Sequence, residues 1–241
     1  MVNYALKIVI GKGELDMGTD FNRNLTVLTT PQYDGLHTLS LKNGTIEEYL
    51  FNIRSVMDCV VQNYSKVFAV RVDLRFPDMF ESSDTAVITR FFESSKAQLK
   101  ADYQAKLRNT TDGQVHASEL FYIWVKEISG RDKCHYHVCL FFNGHAYKSL
   151  GKFELGRANM YNRIHKAWAS ALRLDISHVQ GLIHFPENAQ YLLCRNQADF
   201  TYIYQDLFKR LSYFAKTDTK IYGNGNHNFG CSRVSGRLQS W

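Results

Sequence analysis

The sequence predicts an α+β fold: a ferredoxin-like (RRM-like) antiparallel sheet core with helices on one face, preceded by an N-terminal addition. Three observations carry this. Residues 67–75, Val-Phe-Ala-Val-Arg-Val-Asp-Leu-Arg, are β-prone, alternate toward their end and stop before Pro77. Residues 119–128 and 134–143 are two further apolar, β-prone runs, separated by the polar turn Ser129-Gly130-Arg131-Asp132, and read as a hairpin. Helical spacing of apolar residues follows the first strand and again follows the hairpin. With a short strand near Gly181–Phe185, the order is strand, helix, strand, strand, helix, strand, which is the ferredoxin-like order.

Each element has its own reason. In residues 1–44 only 25–30, Leu-Thr-Val-Leu-Thr-Thr, reads as a strand, and Pro31 and Asp34-Gly35 mark turns. Thr45 is placed to cap a helix with Glu47 and Glu48 in its first turn, where acids favour the positive end of the helix dipole. Leu50, Ile53, Val56, Met57 and Val60 form its core stripe. Residues 83–106 form the next helix, with Val87, Ile88, Phe91, Phe92 and Leu99 inward. Residues 157–173 form another, with Met160, Ile164, Trp168 and Leu172 inward. A last helix spans 198–216. The glycine- and asparagine-rich stretch from Tyr222 to Gly230 reads as an irregular loop. The expected organisation is a flanking segment over 1–65 packed on the core, a core over 66–220 and a basic tail over 221–241.

Composition narrows the class. The chain has 241 residues, 45% hydrophobic and 22% charged, which suits a globular protein with a sizeable core. No apolar run reaches the ~18 residues of a membrane span, and residues 1–7 lack a signal-peptide layout. The five cysteines form no C-x-x-C pair, against a disulfide framework or a cysteine zinc site, so a reducing cytoplasm is expected. Net charge is +6, and from residue 148 onward thirteen Lys and Arg face six acids, with tyrosines and phenylalanines interleaved. That pattern suits a polyanion with unpaired bases. Lys209, Arg210, Lys220 and Arg233 are the candidates for phosphate contacts, with Arg237 beyond them.

The chemistry centres on Cys134-His135-Tyr136-His137-Val138-Cys139-Leu140-Phe141-Phe142. In a strand, residues two apart share a face, so His135 and His137 can offer two nitrogens to one divalent ion. The hairpin would bring Glu127 beside them. Alternation in 67–75 puts Arg71, Asp73 and Arg75 on one face, so Asp73 is the alternative third ligand. Alone, a His-x-His in a strand is more often structural. On the last helix, Tyr213 and Lys216 are three apart and share a face, with Lys209 and Arg210 about a turn before them. A cationic cluster favours the phenolate and lowers its pKa, which makes a better nucleophile. His145 reads as a bystander and His184 as a core histidine.

Glu127, His135-x-His137 and Tyr213-x-x-Lys216, in this order and with a basic second half, resemble the HUH superfamily of single-strand endonucleases. His135-Tyr136-His137-Val138 and the downstream Leu211-Ser212-Tyr213-Phe214-Ala215-Lys216-Thr217-Asp218-Thr219-Lys220 look most like the inovirus-type rolling-circle replication initiators and related prophage proteins. The resemblance covers residues 66–220. It implies that Glu127, His135 and His137 hold one Mg²⁺ or Mn²⁺ and that Tyr213 attacks a DNA phosphorus. That attack gives a 5′-phosphotyrosyl link and a free 3′-OH, with Lys216 assisting. The partners implied are single-stranded DNA at a replication origin, a host polymerase primed by the 3′-OH, and a host helicase, since no ATPase module is present. Position 217 is Thr and position 216 is Lys, so a single catalytic tyrosine is expected, with Tyr202 and Tyr204 not positioned as partners. The rival readings are a single-tyrosine transposase or relaxase, a regulator that binds nucleic acid without cutting, and a metal enzyme acting on small molecules.

Overall fold

The computed structural model describes residues 22, 24–78, 86–129, 133–220 and 227–234. Two long strands, β5 (Lys66–Arg75) and β7 (Lys133–Asn143), pair antiparallel from Val67 opposite Asn143 to Arg75 opposite His135. β6 (Phe121–Ser129) pairs with the other edge of β7, placing Glu127 opposite His135. The predicted turn over Gly130 to Asp132 lies outside the described residues. β8 (Ile183–His184) and β9 (Gln190–Cys194) pair with the outer edge of β5, and β10 (Phe229–Cys231) with that of β6, completing a six-stranded sheet.

The expected element order is present as β5, α2 (Ala86–Asn109), β6, β7, α3 (Met160–Leu172) and β8. The period of two sorts the strands onto two cores. Phe68, Val70, Val72, Leu74, Val138, Leu140 and Phe142 face α2 and α3. Val67, Ala69, Ile123, Val125, Cys139 and Phe141 pack instead with α1 (Glu47–Asn63) and α4 (Phe200–Leu211). The face opposite α2 and α3 is therefore covered along most of its length. Toward one end of that face its residues become polar, and there the segment Ser212–Ala215 packs over it, with Phe214 stacked on His137. β5 changes at Arg71 and Asp73, β6 at Glu127 and β7 at His137 and His135. Asp73, Glu127 and His137 are buried there, and charges out of water need partners, which they find in one another and in Lys216.

Four local expectations are corrected. Thr45 does not cap α1: Thr45 and Ile46 form β4, paired with β1 (Val27–Leu28), and α1 begins at Glu47. Pairing with β1 and a backbone bridge from Thr45 to Lys216 override the local capping signal. Glu48 instead accepts the Thr26 N–H at 3.0 Å. Part of the glycine-rich stretch is not loop, because Phe229 stacks on Tyr49 (4.3 Å) and continues the sheet as β10. The last helix ends at Leu211 and tightens into a 3-10 turn over Ser212–Ala215. His184 is exposed on the edge strand opposite Asp73, not in the core. The N-terminal region adds one more small hairpin, β2 (Gln32–Tyr33) with β3 (Leu36–His37).

Gly44 fixes the approach of β4 to β1. Its φ is +76°, and a Cβ there would sit 2.5 Å from the Leu28 carbonyl oxygen. Both conformational strain and collision oppose a side chain. Gly44→Ala should cost about 2–4 kcal/mol, read as a lowered urea midpoint. An unchanged midpoint would mean that the β1–β4 junction contributes nothing to folding.

Candidate metal and nucleophile site

The strand register places three potential ligands together. The Nε2 atoms of His135 and His137 are 3.2 Å apart, and Glu127 Oε2 is 3.3 Å from His137 Nε2. One ligand atom from each of Glu127, His135 and His137 falls within 4.8 Å of the others. Ligands about 2.1 Å from a shared ion, and adjacent on it, lie about 3.0–3.4 Å apart, so both close pairs fit one cation. Two further observations agree. Glu127 Oε1 is buried and accepts no hydrogen bond among the described residues. The His137 Nδ1–H donates to Asp73 Oδ1 at 2.6 Å, which in the neutral ring leaves the Nε2 lone pair facing the site. A carboxylate with two imidazoles suits Mn²⁺ or another borderline divalent ion, and also Mg²⁺ with waters filling its shell.

This geometry separates the two candidate carboxylates. Glu127 converges with the imidazole Nε2 atoms. Asp73 sits behind His137, on its Nδ1 side, where it fixes the ring. Burial opposes charge on His137, but Asp73 and Glu127 outweigh it and raise the imidazole pKa. Burial likewise pushes the Asp73 carboxyl up, and His137 and Arg71 bring it below its ordinary value. Asp73→Asn keeps the shape but removes the charge. Its Mn²⁺ affinity should fall about 10–100-fold, measured by calorimetric titration; an unchanged affinity would remove Asp73 from the site.

Tyr213 is tied to this centre through Lys216. The Lys216 ammonium donates to the Tyr213 hydroxyl at 2.7 Å and contacts Glu127 Oε2 at 2.7 Å. The Tyr213 ring lies edge-on to His137, with centroids 5.6 Å apart, and the Arg71 guanidinium covers it at 5.3 Å. Lys216 is held charged: burial works against it, but Glu127 and Tyr213 raise its pKa. Burial also acts to raise the Glu127 carboxyl, yet His137, Lys216 and Lys220 bring it down to about 2.

The N-terminal region, which by sequence named no chemistry, holds the tyrosine segment in place. Leu39 N–H donates to Ser212 Oγ at 2.9 Å, Thr217 Oγ1 to the Asn43 carbonyl at 2.9 Å, and Thr45 bridges to Lys216 through the backbone. These contacts span more than 160 residues of sequence, so no local signal announces them.

The four predicted phosphate contacts divide. Lys209 is exposed and Arg210 half-buried near Tyr213, and both line one cleft with it. Lys220 is not a surface residue: its side chain is 0% exposed and its ammonium faces Glu127 Oε1 at 3.8 Å. Arg233 is exposed but follows β10 beside Tyr122, five residues along β6 from Glu127. That is roughly 17 Å away along the strand, so it does not join the site. Arg237 lies outside the described residues. His145 is remote and faces Ser65 at 3.2 Å. Tyr204 bonds Asp58 and Tyr202 is 73% exposed, so neither pairs with Tyr213. On the metal side, a cavity of about 500 Å³ is lined by Asp73, Arg75, His135 and His137.

The family model described as the YagK/YfjJ C-terminal domain matches residues 28–232. The chain belongs to this family. All of Asp73, Glu127, His135, His137, Tyr213 and Lys216 fall within the matched span. The chain is 40% identical to the Escherichia coli (strain K12) "Uncharacterized protein YagK" over 211 residues, 84% of this chain and 98% of that protein. It is 37% identical to "Uncharacterized protein YfjJ" of the same strain over 194 residues, 77% of this chain and 93% of that protein. No solved structure matches. Neither relative's name carries an activity, so any function for this YagK/YfjJ-family chain rests on its own residues. No helix among the described residues is long and apolar enough to cross a membrane, and none of the five cysteines is in a disulfide.

Proposed function

We propose that this YagK/YfjJ-family protein is an HUH-type single-strand DNA endonuclease and strand transferase that initiates rolling-circle replication of a phage or prophage-like element in the cytoplasm. One observation carries the reading: Lys216 bridges the Tyr213 hydroxyl and the Glu127 carboxylate beside the histidine pair. Glu127, His135 and His137 would hold Mg²⁺ or Mn²⁺, which when bound supplies Lewis-acid polarisation of the scissile phosphate. Asp73 holds His137 in the ligating tautomer. Lys216 fixes the position of the Tyr213 oxygen and sets a positive charge where the phosphate charge grows. Tyr213 Oη forms a bond to phosphorus as the phosphorus–O3′ bond breaks. The hydroxyl proton leaves to solvent, and the departing 3′ oxygen takes up a proton. The 5′-phosphotyrosyl bond retains the phosphodiester for rejoining to a 3′-OH, so no ATP enters. Lys209 and Arg210 would contact the strand, and a host helicase and polymerase would act at the nicked origin.

The test is a denaturing gel of the protein with Mn²⁺ and end-labelled single-stranded oligonucleotides from its own replicon. The expected result is a protein–DNA band that EDTA removes. Binding without that band, across metals and sequences, would favour a regulator on the same fold that does not cut.

A further inference from the structure

Tyr213 also borders a cleft that the metal ligands do not use. The cleft has a volume of about 270 Å³, and Arg71, Lys209, Arg210, Asn188 and Asp206 line it with Tyr213. Its cations are unusual in one respect. The Nε atoms of both Arg71 and Arg210 are buried and have no hydrogen-bond partner among the described residues. A buried donor left unmade costs about 1–3 kcal/mol, and native structures rarely leave two in one place.

The contacts these arginines do make leave them available. Arg71 reaches Asp73 only at 3.8 Å and lies over the rings of Tyr213 (5.3 Å) and Phe214 (5.4 Å), which orient the guanidinium without using its donors. Arg210 donates through Nη2 to the Glu187 carbonyl oxygen. Lys209 is exposed. The one acid in the lining, Asp206, is bonded with Tyr191, whose hydroxyl burial and Asp206 push up to about 12. Three cations against one engaged carboxylate make an anion site. The planar fork of arginine matches phosphate oxygens.

We propose that Arg71, Lys209 and Arg210 form a phosphodiester subsite beside Tyr213, holding the backbone phosphate next to the one that the tyrosine attacks. A single strand with its scissile phosphate at Tyr213 carries another phosphate one nucleotide on, and this adjacent cleft offers it the cations of Arg71, Lys209 and Arg210. The identity of that phosphate rests on the nuclease reading. The grip itself requires neither metal nor cleavage.

The experiment is fluorescence anisotropy of the full chain in EDTA with a labelled single-stranded 20-mer, repeated over a range of salt. Lys209→Gln and Arg71→Gln should each weaken binding about tenfold and flatten the salt dependence by roughly 0.7 in log–log slope, the value of one lost phosphate contact on a single strand. A scan of neutral methylphosphonate linkages should find one position that weakens the wild type but not Arg71→Gln. Arg71 is largely buried, so its variant is accepted only with a wild-type thermal transition; the exposed Lys209 variant carries the test otherwise. Wild-type affinity and slope in Lys209→Gln would overturn the subsite. So would displacement of the 20-mer by dTMP at equal phosphate concentration, which would assign the cleft to a free nucleotide. Altered slopes without nicking by the wild type would remove the nuclease and keep the cleft. Nicking with unchanged slopes would do the reverse.

Discussion

Tyr213→Phe should abolish formation of the covalent protein–DNA species and lower nicking by at least about 10⁴-fold, the scale of losing a nucleophile outright. Only one oxygen atom is removed. The ring keeps its edge contact with His137 and its cover by Arg71, since both are made by the ring face and edge. Lys216 loses one acceptor but keeps Glu127. The variant should therefore fold as the wild type does, bind Mn²⁺ and hold single-stranded DNA. A fall in kcat with binding intact separates a nucleophile from a structural tyrosine. Lys216→Met is the useful companion, because it removes the ammonium from both Tyr213 and Glu127 and should slow nicking while leaving some covalent product. Nicking by Tyr213→Phe at the wild-type rate would end the tyrosine mechanism and turn attention to hydrolysis at the metal.

Much of the site was legible because strand periodicity is a strong local rule. His135 and His137 share a face by counting alone, and a tight hairpin puts Glu127 opposite His135. The alternation in β5 marked Arg71 and Asp73 as members of that face. What it could not give was depth. Whether Asp73 or Glu127 meets the Nε2 atoms depends on which side of the imidazole each strand lies, and that is set by a register of β5 on β7 between residues 64 apart. Lys220 read as a surface cation for a similar reason. Nothing near it in sequence tells that the chain turns back under Glu127. Likewise the helices α1 and α4 were legible as helices, but their packing on the second face, and the hold of Leu39, Asn43 and Thr45 on the tyrosine segment, are long-range contacts with no local signature.

Glu127→Gln should be among the most destabilising single changes in the metal-free protein, at about 3–5 kcal/mol near pH 7, because it leaves buried positive charges without their counter-charge. Glu127 is 2% exposed and faces Lys216, Lys220 and His137, and the amide keeps the volume but not the charge. The pH profile identifies the cause. In the wild type the folded carboxyl titrates at about 2, below its ordinary 4.5. The stability this supplies is complete above pH 4.5 and is lost as the pH falls toward 2. The Gln variant lacks this step. Lys220 contributes with the other sign: burial brings its ammonium down to about 8 from 10.5. Between those values the unfolded chain holds a proton that the folded chain has released, so stability rises with pH there. Without Glu127 the folded Lys220 gives up its proton at still lower pH, and the rise should begin below 8. Urea midpoints from pH 2 to 10.5 in EDTA measure both slopes. Adding Lys220→Met to Glu127→Gln should recover part of the loss and flatten the alkaline rise. A Glu127→Gln protein within about 1 kcal/mol of wild type at pH 7 would mean that the lysines reach water in solution, and that the carboxylate is free to serve a metal without first being released by them.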